Sequence, residues 1–298
     1  MLSILIPIYN FDVGKLVVEL QKQAKLASID FEILLFDDAS DIEFRVINRK
    51  YSTFENVIYK ELEVNIGRSK IRNLMCSEAQ FEYLLFLDCD ASISNPNFIN
   101  NYIEECKPNA IVCGGMGYFS EYVSINSTDS LRFHYGFKRE CLSLSQRLQN
   151  PNDNFMTFNF LIAKSILLKT RFDESIQRYG HEDTLFGISL QKNGYTIKHI
   201  ENVAYHLELD SNDIFLKKSL MGVENLFQLI ENNSLKSDLQ KSVKLLKYYC
   251  LIEKWHCKKC FALLYRFAGK SIEKQIIKNG KNLFIFDFYR LIYLCSLN

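Results

Sequence analysis

Proline is scarce in this 298-residue chain: there are 4, beside 12 glycines and a single tryptophan. That excludes collagen-like, proline-rich and glycine-rich low-complexity architectures, and no internal repeat is visible. No window reaches about 18 consecutive uncharged apolar residues, so a membrane-spanning helix is not expected. The opening MLSILIPIYN has no basic leader and no small-residue cleavage site, and it reads as a first strand rather than a secretory signal. Cysteine is not scarce but lacks a framework: the nine are an odd number, and Cys76, Cys89 and Cys113 sit inside apolar runs. Free thiols in a reducing, cytoplasmic setting are expected. Cys257 and Cys260 have CxxC spacing, but no second pair completes a zinc site, and packing on a helix is the simpler reading.

What is present is ordinary for a globular protein, 48% hydrophobic and 24% charged, and long enough to bury a substantial core. The net charge of +1 hides an asymmetry. Residues 241–298 hold 12 of the 36 Lys and Arg but 3 of the 35 Asp and Glu, a net of +9; the rest of the chain carries a net of −8. A basic tail on an acidic body points to an anionic partner for the tail. Nucleic acid is not expected, since the body is acidic and carries no recognition motif. Residues 282–297, NLFIFDFYRLIYLCSL, read either as a helix packed on the body or a second subunit, or as an interfacial helix drawn to anionic lipid.

Strand and helix signals alternate. Residues 2–8, 31–36, 54–60, 83–88 and 110–115 are short apolar runs, and helical spacing fills 13–27, 67–79 and 96–106. Strands apolar throughout and separated by helices predict a largely parallel sheet covered on both faces. The pattern loosens over 117–155, returns at 157–168, and a helix is expected from Glu182 to Lys192. Strand ends near 195–208 carry His206. From 211 onward helices are expected near 211–231, 235–262 and 282–296.

In such sheets ligands bind outside the carboxyl ends of the strands. Three strands here end on polar groups: Pro7-Ile8-Tyr9-Asn10, Asp37-Asp38-Ala39-Ser40 and Asp88-Cys89-Asp90. Two carboxylates spaced Asp-x-Asp repel unless a cation compensates, and a divalent ion with oxygen ligands is the usual answer. The plainer alternative makes Asp88 a helix cap or a turn residue with Ser92 and Asn95. Asp37 and Asp38 have a similar alternative with Ser40 and Asp41. Arg68, Lys70 and Arg72, at the start of the intervening helix, are candidate counter-charges. Glu182 and Asp183 open a helix, where acids favour the dipole, and a carboxylate there can also accept a proton. His206 is either structural or a metal ligand.

Taken together, the segments IPIYN (6–10), LLFDDAS (34–40), NIGRSKIRN (65–73), FLDCD (86–90), FDESIQRYGHEDTLFG (172–187) and AYH (204–206) resemble, in order, family-2 glycosyltransferases of the GT-A fold. The resemblance covers roughly residues 2–210. It implies an α/β GT-A catalytic domain over 1–210, with a mixed, mainly parallel sheet flanked by helices, and a helical, basic extension over 211–298. It implies an inverting, metal-dependent transfer from a nucleotide-diphosphate sugar, UDP-linked by default, to a saccharide or lipid-linked acceptor. Surface polysaccharide synthesis at the cytoplasmic face of a membrane, with peripheral contact through the tail, would fit. By the same resemblance Pro7, Tyr9 and Asn10 line the nucleotide pocket, Asp38 or Asp37 bonds base or ribose, and Arg72 supports that site. Asp88 contacts ribose or sugar, while Asp90 and His206 hold Mn²⁺ or Mg²⁺. Asp183 is the base, Glu182 contacts donor or acceptor sugar, and Asn159 and His181 lie on the acceptor side. Cys89 fills the variable centre of the Asp-x-Asp, and Met156-Thr157-Phe158 replace the small residues usual before Asn159. Two other readings stand beside this one: an Asp-x-Asp phosphatase with an aspartate nucleophile, and a non-catalytic carbohydrate- or membrane-binding module.

Overall fold

The computed structural model describes residues 1–119, 129–176, 179–207, 209–231 and 233–297. Residues 120–128 of the loosened stretch, Gln177 and Arg178 of the 172–187 motif, and Glu208 after the His206 strand lie outside the described residues. The chain divides into two compact units: one of residues 1–118, 141–177 and 186–207, the other of 119–140, 178–185 and 208–298.

The first unit is built on a seven-stranded sheet. Its strands are β1 (Leu2–Ile8), β2 (Phe31–Asp37), β3 (Val57–Glu61), β4 (Tyr83–Leu87), β8 (Asn159–Ala163), β6 (Ile111–Cys113) and β9 (Lys198–His199). The order across the sheet is β3-β2-β1-β4-β8-β6-β9. The first four run parallel, with Ile8 opposite Asp37 and Leu5 opposite Phe86. β8 is antiparallel to both β4 and β6. Every residue of β2 is buried, as expected of a central strand covered on both faces. Ser3 and Glu32 interrupt the apolar runs of β1 and β2, and both are satisfied: Ser3 donates to Glu32 at 2.5 Å, and Glu32 also accepts the N–H of Gln80 at 2.7 Å. Helices α1 (Gly14–Leu26), α2 (Ile42–Arg49), α3 (Arg68–Glu78), α4 (Phe98–Ile103), α6 (Leu144–Arg147) and α7 (Lys164–Thr170) belong to this unit. Phe86 stacks on Phe160 at 4.9 Å and Phe172 on Phe186 at 4.0 Å, anchoring one face of the core. A second, three-stranded sheet places β10 (Ala204–His206) between β5 (Ala91–Ser92) and β7 (Met116–Gly117).

Boundaries shift where local geometry intervenes. The strand expected at 54–60 begins at Val57, because residues 50–53 form a 3₁₀ turn and Asn56 takes a left-handed φ of 61°. The 157–168 run is a strand that passes directly into α7.

The second unit is helical. It contains α5 (Leu131–Arg139), α9 (Asn212–Glu231), α10 (Asn233–Ser242), α11 (Lys244–Lys254), α12 (Lys258–Lys278) and α13 (Leu283–Ser296). The single helix expected over 235–262 is three. Val243 leaves helical geometry at φ −102°, ψ 107°, and His256 takes φ 56°, which breaks the ladder between α11 and α12. α13 is largely interior: Leu283, Phe286, Tyr289 and Ile292 pack with Leu131, Phe215 and Ile276. α8 (Glu182–Lys192) contributes its first turn, to Leu185, to this unit and its remainder to the first. All nine cysteines are free thiols. No described helix is long and apolar enough to cross a membrane.

Candidate functional site

Three adjacent parallel strands, β2, β1 and β4, end on the same edge of the sheet. At about 4.8 Å per strand, Asp38 and Asp88 emerge roughly 10 Å apart, with the Tyr9-Asn10 turn between them. The β1 and β2 ends are clasped together. Asp38 N–H donates to Ile8 O at 2.8 Å, Asn10 N–H to Ser40 Oγ at 2.8 Å, and the Asn10 amide exchanges bonds with Asp41, donating at 3.0 Å and accepting at 2.7 Å. Asn10 holds a left-handed φ of 51°, which asparagine tolerates better than most side chains. Tyr9 is 54% exposed, its ring open to solvent at this edge, and Pro7 is half-buried.

Asp37 and Asp38 differ in their partners. Asp37 is fully buried and accepts from Ser40 N–H at 2.7 Å and Tyr59 Oη at 2.9 Å. Asp38 accepts the N–H groups of Ile66 and Gly67 at 2.7 and 3.0 Å. Gly67, at φ 82°, begins α3, so Asp38 fixes the entry of the helix that carries Arg72. Burial raises the Asp38 carboxyl above its ordinary range; the two backbone N–H groups pull the other way, and neighbouring Asp37 adds to the rise.

The two acids after β4 take separate partners. Arg72, 1% exposed, donates from Nη2 to Asp88 Oδ1 at 2.8 Å. Burial pushes Asp88 up, and Arg72, then Arg68, oppose it. Asp90 Oδ2 lies 3.2 Å from His206 Nε2. The small sheet makes that contact: β10 pairs antiparallel with β5, setting His206 opposite Ala91, and Leu207 N–H donates to Asp90 O at 3.0 Å. The His206 ring stacks on Phe158 at 5.6 Å, 19° from parallel. Burial, and then neighbouring Asp90, push the thiol of Cys89, between the acids, up.

Asn159 sits in the interior of the same unit. Its Oδ1 accepts from Tyr102 Oη at 2.6 Å, and its Nδ2 donates to Gly115 O at 3.0 Å and Asn202 O at 2.8 Å. Its observed work is to join β8 to the backbone after β6.

Glu182, Asp183 and His181 belong to the helical unit. The turn before them is held by α9. Asn225 Nδ2 donates to Tyr179 O at 3.0 Å, and a Cβ on Gly180 (φ 103°) would stand 3.0 Å from the Gly222 Cα. Gly180, with its left-handed φ, is the residue whose Cβ would crowd this approach. Leu185 N–H donates to His181 O at 3.0 Å, beginning α8, and Thr184 N–H donates to Asp183 Oδ1 at 2.7 Å. Burial, helped by Arg290, lowers the half-buried His181 imidazole to about 4, with Glu182 opposing. A groove of about 650 Å³ in this unit, lined by Lys138, Arg139, Lys281 and Phe284 among others, contains none of the predicted site residues.

Buried Arg147 had no sequence signal. It donates to Cys113 O at 3.2 Å and Ile200 O at 3.0 Å, tying β6 to the residue after β9.

A chondroitin synthase of Escherichia coli is 26% identical over 239 residues, 70% of this chain and 34% of that protein. The chain thus spans about a third of that relative's length. The mannosyltransferase of Pyrobaculum calidifontis, solved with GDP-Man and Mn²⁺, superposes with a TM-score of 0.58 at 11% identity, covering 98% of this chain and 85% of that one. Staphylococcus aureus TarS 1-349, solved with UDP-GlcNAc, gives 0.51 at 17% identity over 98% and 90%. These structural likenesses speak to the fold, the mixed α/β sheet of GT-A transferases. The family model for glycosyl transferase family 2 matches residues 3–170, more than half the chain, and the chain belongs to that family.

Proposed function

We propose that this chain transfers a sugar from a nucleotide-diphosphate sugar to a hydroxyl of a saccharide acceptor, with inversion at the anomeric carbon and with Mn²⁺ or Mg²⁺. The division of labour between Asp88 and Asp90 carries the reading. Asp88 is neutralised by Arg72 and so suits a hydrogen bond to ribose or sugar hydroxyls, while Asp90 stands beside an imidazole.

Two atoms bound to one ion at about 2.1 Å and a right angle stand about 3 Å apart. Asp90 Oδ2 and His206 Nε2 are 3.2 Å apart and are oxygen and nitrogen donors suited to such a cation. Asp90 and His206 would hold the ion, with phosphate oxygens of the donor completing its ligands. When bound, the cation offsets charge growing on the departing diphosphate. Pro7, Tyr9 and Asn10 border the nucleotide, and Asp37 and Asp38 fix the turn that receives it. Each Asp38 oxygen uses one lone pair on a backbone N–H, leaving acceptor capacity for base or ribose. Asp183 takes the acceptor proton, Glu182 contacts a sugar hydroxyl, and His181 borders the acceptor.

UDP is the favoured carrier because one structural neighbour binds UDP-GlcNAc, although another binds GDP-Man. The likeness to chondroitin synthase supports a role in polysaccharide synthesis. A lipid-linked acceptor at the cytoplasmic face of a membrane, with the basic C-terminal region in contact, suits the charge asymmetry. Membership in a transferase family leaves the phosphatase reading without support.

A thermal-shift panel of nucleotide-sugars, with and without Mn²⁺, tests the reading. One diphosphate nucleotide should stabilise the protein, and Asp90→Ala should remove the manganese-dependent part. An unchanged manganese increment in Asp90→Ala would overturn the metal assignment.

A further inference from the structure

Residues 244–278, spanning α11, the turn at 255–257 and α12, carry nine Lys and Arg against two acids, Glu253 and Glu273. Both acids have partners within the unit: Glu253 accepts from Lys236 at 3.0 Å and Glu273 from Tyr289 Oη at 3.3 Å. Most of the cations face solvent.

α11 has two apolar faces. Leu246, Tyr249 and Ile252 are buried; Tyr248, Leu251 and Trp255, at i, i+3 and i+7, are exposed. In α12 the buried residues are Gly269 and Ile276, while Leu263, Leu264 and Phe267 are exposed, Phe267 at 82% and Trp255 before it at 67%. At 100° per residue, Leu263, Phe267, Lys270 and Lys274 fall within a sector of about 60°. Large apolar side chains and cations therefore share one uncovered helix face. Globular helices ordinarily put their apolar stripe inward and their charges opposite it. The most apolar tail segment, α13, is by contrast interior.

We propose that this face of α12, with exposed Trp255 in the turn before it, docks on an anionic phospholipid bilayer. Phe267, Leu263 and Trp255 enter the headgroup boundary, and the flanking Lys and Arg meet lipid phosphates. The charge pattern favours a lipid surface over a second copy of this chain, because an isologous pairing would set like charges against each other. α12 runs for about 30 Å with basic residues along it, matching a plane of one charge sign rather than a compact acidic epitope.

The test uses the full chain and Trp255, the sole tryptophan, as an intrinsic reporter. Vesicles of phosphatidylglycerol and phosphatidylcholine should co-sediment the protein and blue-shift its emission; phosphatidylcholine alone should do neither, and added salt should weaken binding. Leu263→Ser with Phe267→Ser, both exposed, should weaken partitioning about tenfold or more. Lys270→Glu with Lys274→Glu should do the same, and these pairs should leave nucleotide-sugar thermal shifts unchanged. That last measurement separates failure of the docking surface from failure of the transferase reading. Equal binding to both vesicle types, unaltered binding by either pair, or self-association or nucleic-acid binding in place of vesicle binding would overturn the proposal.

Discussion

The guanidinium of Arg72, from the first turns of α3, meets the carboxylate of Asp88, at the end of β4, at 2.8 Å, with the arginine side chain almost wholly buried. A buried charge left without its partner is costly, so the pair constrains both the helix and the strand end. Arg72→Met should lower stability by about 2 kcal/mol, because it removes the main cation opposing the partly exposed Asp88 and leaves Arg68. Asp88→Asn should cost less, and the double variant should recover part of the loss. Denaturant titrations of all four proteins give the coupling; a value under about 0.5 kcal/mol would mean the contact organises little.

If Asp183 takes the acceptor proton, Asp183→Asn should bind donor normally and lose turnover by about 10²–10⁴-fold. Isothermal titration with the nucleotide-sugar, paired with a radiolabelled transfer assay, separates the two. Undiminished transfer would remove Asp183 from the chemistry.

His181 sets a pH dependence. Its folded-state pKa is depressed to about 4 from 6.5, so between those values the unfolded chain binds more protons. Its contribution to stability is complete above pH 6.5 and falls as pH drops toward 4, by up to about 3 kcal/mol. His181→Gln should flatten that part of the stability profile relative to the parent. Identical profiles would show that the imidazole titrates normally.

The amide of Asn159 serves three partners in the interior. Asn159→Ala should cost about 3 kcal/mol, since it opens a cavity and strands Tyr102 Oη and two carbonyls. Asn159→Asp should be worse, because it places an acceptor against carbonyl oxygens. A variant of full stability with an altered acceptor KM would instead assign Asn159 to substrate.

Much of the first unit was legible because its strands are largely apolar runs closed by polar residues. β1, β2 and β4 fall where hydrophobicity alone puts them, and the parallel topology follows from the helices between them. The edge bearing Tyr9, Asp38 and Asp88 follows in turn. The helical unit was less legible. Val243 and His256 break the helix by backbone conformation, which leaves no mark on apolar spacing, and α12 continues past the expected end.

The sequence by itself determined which side chains stand at strand ends, since burial of an apolar run dictates where the chain must emerge. Tertiary structure alone decided what each of them touches. Arg72 rather than Lys70 reaches Asp88, His206 arrives beside Asp90 through a short strand far along the chain, and Asn159 turns inward. Periodicity reports the environment of a segment; partner choice depends on contacts between segments remote in sequence, and no local pattern encodes those.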